Sequence, residues 1–169
     1  MSGRRDERRF ALGCFRRTSG PVGIESLFGL PSDVRRLAGT GGSFTRALSR
    51  HTGSPVKVRR LAEGWRDHRP GRWPASRVTR VWERRTRLES AAARVEARTE
   101  VVGPLTPRLR WAIMGLADSP LMEVLVRQPN CHRQVFEVSR QGRQIRRLAV
   151  YRIHCARVRV TEWFDIDLR

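Results

Sequence analysis

Val78-Thr79-Arg80-Val81-Trp82-Glu83-Arg84-Arg85-Thr86-Arg87-Leu88 is the stretch on which the fold turns. Side chains along a strand alternate between two faces, so Trp82, Arg84, Thr86 and Leu88 share one side. Near the C-terminus, Val158-Arg159-Val160-Thr161-Glu162-Trp163-Phe164 repeats the pattern and aligns Val158, Val160, Glu162 and Phe164. Each of these mostly apolar faces carries one ionisable residue. An unpaired buried charge is too costly to keep, so Arg84 and Glu162 must each meet the other or a bound group. The alternative is a structural ion pair with no further role.

A turn at Ser90 to Ala93 leads from the first stretch into Val95, Ala97, Thr99 and Val101, which alternate with charged residues and predict a hairpin. Upstream, Pro31-Ser32-Asp33 starts a short helix over Val34 to Ala38. Ser43 caps another, in which Phe44, Ala47 and Leu48 share a face. Val56, Val58 and Arg60 predict a first strand, and Glu63 to Pro74 a loop in which Trp65 and Trp73 anchor a flap. Helices are expected over Leu105 to Leu116 and Pro120 to Val126. Strands are expected over Val135 to Val138, Leu148 to Ile153 and Val158 to Phe164. The expected fold class is α+β, a single antiparallel sheet of about six strands with a few helices packed on one side. Residues 1–20 read as a basic, flexible leader and 21–169 as one domain. Arg8-Arg9 is followed by further arginines and polar residues, not by the apolar region of an export signal.

No stretch approaches the roughly 18 consecutive apolar residues of a membrane span. The formal charge of +19 raises the question of nucleic acid, but Lys57 is the only lysine and the arginines run from end to end. With no finger spacing, RNA-binding signature or helix-turn-helix, nucleic acid is not the expected partner. Cys14, Cys131 and Cys155 are odd in number and widely spaced, as suits a reduced cytoplasmic chain. The four histidines make no metal spacing with them, and adjacent Cys131 and His132 point to opposite faces of a strand. Neither a metal nor thiol catalysis is expected.

Five segments in order, Gly42 to Leu48, Trp82-Glu83-Arg84, Ala97 to Val102, Ser119 to Leu125 and Val160 to Phe164, resemble the chorismate pyruvate-lyase family over residues 42–165. That resemblance implies a six-stranded antiparallel sheet enclosing a buried pocket. It also implies conversion of chorismate, or a related small carboxylate, to 4-hydroxybenzoate and pyruvate without a metal or organic cofactor. By position, Arg84 would grip a substrate carboxylate, Glu162 would face the reacting ring and ether oxygen, and Phe44 and Leu121 would line the pocket. Met122 departs from the family, which usually has glycine there, and Ser90-Ala91-Ala92-Ala93 replaces a glycine-containing turn. A dianion also needs a second donor set, for which Arg147 and Arg152 are candidates. Two alternatives are a relative that catalyses a different elimination, isomerisation or cyclisation, and a small-ligand sensor, for which residues 1–40 supply no DNA-binding motif.

Overall fold

The computed structural model describes residues 27–68, 79–125 and 127–167. The leader, Trp73, Val78 and Val126 lie outside them. The elements follow in the order α1 (Ser32–Ala38), α2 (Phe44–Thr52), β1 (Lys57–His68), β2 (Thr79–Glu89), β3 (Arg94–Val102), α3 (Pro107–Met114), α4 (Leu121–Leu125), β4 (Cys131–Gln141), β5 (Gln144–Ile153) and β6 (Ala156–Asp165). The strands form one antiparallel sheet in the order β1-β2-β3-β6-β5-β4. This is the α+β architecture expected.

Local chemistry sets the helix ends. The Ser43 side chain accepts the Arg46 backbone N–H, and Gly53 closes α2 in the left-handed conformation that a residue without Cβ adopts most easily. Thr106 caps α3 by accepting the Leu109 N–H, and Pro107 occupies the first turn, where its missing N–H costs nothing.

All four helices pack on one face of the sheet, in two apolar clusters. Phe44 and Leu48 of α2 join Leu88, Val95, Phe136 and Phe164 at one end. Leu109 and Ile113 of α3 join Trp82, Val101, Ile153 and Val158 at the other. No described helix covers the opposite face, whose charges answer one another instead. Glu83 sits 2.9 Å from Arg85 and 2.6 Å from Arg98, and Glu100 lies 2.9 Å from Arg98 and 3.4 Å from Arg159.

The loop expected over Glu63 to Pro74 is corrected among the described residues. Glu63 to His68 is strand, not loop, because β1 continues along β2 as far as the His68 and Thr79 pair. A register shift between Arg60 and Ala62 breaks the alternation and hides the strand in the sequence. Trp65 is therefore no flap anchor. Its exposed ring stands on β1 with the guanidinium carbons of Arg80 and Arg110 at 5.8 and 5.7 Å from its centre.

Candidate functional site

Strand register builds the site. On the helix-bearing face, one row across the sheet reads Thr86, Ala97, Glu162, Arg147, and the next reads Arg84, Thr99, Val160, Ala149. The flanking rows, Leu88, Val95, Phe164, Ile145 and Trp82, Val101, Val158, Tyr151, are large and mostly apolar, and they feed the two clusters. Small and charged residues in the two middle rows leave a hollow of about 50 Å³ between the clusters. Arg84, Glu162, Phe44 and Leu121 all line it, so the fold brings together the four site residues picked out from sequence. Met122 is part of the same wall.

Arg84 and Glu162 do not pair with each other. The Arg84 Nη2 donates to the carbonyls of Ala117 and, at 3.3 Å, Ser119, in the loop between α3 and α4. That loop is held to the sheet edge, where Asp118 accepts the Arg60 N–H at 3.1 Å. Ala117 has a φ of 44°, a left-handed conformation uncommon for alanine. Arg84 is only 2% exposed, and its Nε and Nη1 have no hydrogen-bond partner among the described residues. Burial lowers the pKa of its guanidinium, and Glu63, opposite it on β1, acts against that shift.

Glu162 is partnered by Arg147, which faces it across β5 and β6. Arg147 is buried, and its other nitrogens are engaged too: its Nε reaches the Ala38 carbonyl at 2.8 Å and its Nη2 the Thr40 carbonyl at 2.6 Å. Its guanidinium carbon lies 4.2 Å from the centre of the Phe44 ring and 5.2 Å from that of Phe136. Burial raises the Glu162 carboxyl above the usual carboxylate range, with Arg147 pulling the other way. Tyr151 is pushed up to about 12, by burial first and the charge of Glu162 second, so its hydroxyl stays neutral at working pH.

Of the two arginines considered for a second anion, neither offers a donor to the hollow. Arg147 spends its donors on Glu162 and on the turn after α1. Arg152 lies exposed on the opposite face, in register with Arg157 and His132. A signal for Arg147 was present in the sequence: Ile145, Arg147, Ala149, Tyr151 and Ile153 alternate, but the expected strand began one residue too late to include it. Among the described residues no group of three His, Cys, Asp or Glu side chains is gathered as a metal site, and no helix is long and apolar enough to cross a membrane.

Compared with models of protein families and with curated proteins, the chain matches none.

Proposed function

We propose that the chain is a cofactor-free lyase acting on a small carboxylate in the hollow between the two apolar clusters. One observation carries this reading: a buried guanidinium with two nitrogens unpartnered among the described residues and a half-buried carboxyl group line the same small cavity without pairing with each other. Buried donors without acceptors are expensive to maintain, and an anion that accepts from Arg84 would relieve that cost. Glu162 then faces the rest of the ligand. Its carboxylate form is maintained by Arg147 and its acid form is favoured by burial, so it has access to both halves of a proton transfer.

For chorismate, the substrate implied by the resemblance, the carboxylate would take the proton from the hydroxyl-bearing ring carbon as the ether C–O bond breaks. The resulting acid would return that proton to the leaving enolpyruvate, which becomes pyruvate, while the ring becomes 4-hydroxybenzoate. Aromatisation supplies the driving force. Two observations favour another small carboxylate on the same scaffold: the hollow is only about 50 Å³, and Met122 narrows its wall. Incubation of concentrated protein with chorismate and with smaller hydroxy- or ether-bearing carboxylates, followed by chromatography, tests the reading. Glu162→Gln is expected to lower turnover by at least 100-fold while ligand still binds. Equal turnover in this variant and the parent removes Glu162 from the chemistry.

A further inference from the structure

The two arginines nearest the hollow are in different electrostatic states. Every nitrogen of Arg147 is engaged, since each donates to an oxygen of Ala38, Thr40 or Glu162. Arg84 alone presents unpartnered, buried N–H groups at the cavity wall. Arg133, also buried on this face, is turned toward the Gly41 carbonyl at 2.8 Å and the Phe136 ring, outside the cavity lining. Around Arg84 the charges balance. Glu63, Asp118 and Arg60 are its charged neighbours, and Arg147 neutralises Glu162 on the other side. Among the described residues, the lining itself therefore carries one arginine and one carboxyl group, Arg84 and Glu162, before anything binds.

From this arrangement we infer that the hollow selects monocarboxylates over dicarboxylates, holding one short carboxylate on Arg84 and excluding a second negative charge. The inference rests on the reading of Arg84 as the carboxylate anchor and narrows its ligand class. A first carboxylate gains a charge-assisted hydrogen bond from an unpartnered nitrogen of Arg84. A second meets only the hydroxyls of Thr45, Thr86, Thr99 and Ser119 and no further cation of the lining, and it lies beside the Glu162 carboxyl, where like charges repel more strongly than in water. Size points the same way. A cavity of roughly 150 Å³ is what holds a benzene ring, and this hollow, at about 50 Å³, has room for a group of only a few heavy atoms. Its rim at exposed Ser119 and half-buried Leu121 and Met122 is where a longer ligand would emerge.

Chemical-shift titration of the full chain at pH 7 and fixed ionic strength tests this with three probes: propionate, succinate and monomethyl succinate. The last matches succinate in length but carries one charge. Propionate and monomethyl succinate are expected to bind at least tenfold tighter than succinate, and Arg84→Gln, checked for folding by circular dichroism, is expected to lose both. Glu162→Gln adds net positive charge to the hollow and is expected to shrink the tenfold gap. Succinate binding as tightly as its monomethyl ester, with Arg84→Gln abolishing both, overturns the charge selectivity and leaves the anchor standing. If none of the three binds, or if binding persists in Arg84→Gln, the anchor fails and the selectivity with it. A gap unchanged in Glu162→Gln overturns the charge balance as its cause.

Discussion

Glu162 sits between burial, which favours its proton, and Arg147, which favours its charge, with burial the stronger. The folded protein thus holds that proton to a higher pH than the unfolded chain does. Between the ordinary carboxylate value of 4.5 and the raised folded value, the unfolded chain has released a proton that the folded one keeps. This contribution to stability therefore falls as pH rises through that window and is flat above it. Glu162→Gln should remove that slope from a plot of Tm against pH, and a slope equal to the parent's would show that the folded carboxyl is not shifted upward. Arg147 is the residue whose loss should cost most here. Arg147→Met leaves the half-buried Glu162 carboxyl without its partner and two carbonyls without donors, so urea denaturation should register a loss of about 3 kcal/mol. For Arg84→Ala, binding of any carboxylate ligand should weaken by about 2 kcal/mol, read by titration.

At the scale of elements, the connection after β3 is tightly constrained. Gly103 has a φ of 98°, and a Cβ there would stand 2.9 Å from the Cys155 carbonyl oxygen in the β5–β6 turn. Both the backbone conformation and the close approach exclude a side chain, so Gly103→Ala should destabilise by about 1–3 kcal/mol in chemical denaturation. Strand alternation told the inward face of β2 and β6 correctly from sequence, because a period of two needs no knowledge of neighbours. It failed at β1, where the shift between Arg60 and Ala62 puts the later residues out of phase, and only hydrogen bonding to β2 keeps Glu63 to His68 extended. The arginine bias likewise acquires meaning on the outer face. There Glu83 and Glu100 each answer two arginines, so part of the positive charge is spent within the sheet.

Across the whole molecule, Ala149 packs against both apolar clusters, and one continuous sheet underlies them. The clusters should therefore melt together. Leu48→Ala in one and Ile153→Ala in the other, both buried side chains, should each lower stability by about 2–5 kcal/mol. Each should do so in a single transition seen alike by far-ultraviolet circular dichroism and tryptophan fluorescence. Two separated transitions would mean that the ends fold independently.

The amino-acid sequence by itself determined the α+β class, the helix caps at Ser43 and the turn at Ser90 to Ala93, and it placed Arg84 and Glu162 on inward faces. These features depend on local periodicity and on the hydrogen-bonding habits of single residues, which neighbours in the chain disclose. Tertiary structure alone decided that β3 pairs with β6, a strand more than 50 residues away, and so which rows lie side by side. That pairing sets Arg147 against Glu162 and leaves Arg84 to the Ala117 and Ser119 carbonyls. A charge finds its partner by proximity in space, and proximity across a sheet is fixed by register and strand order.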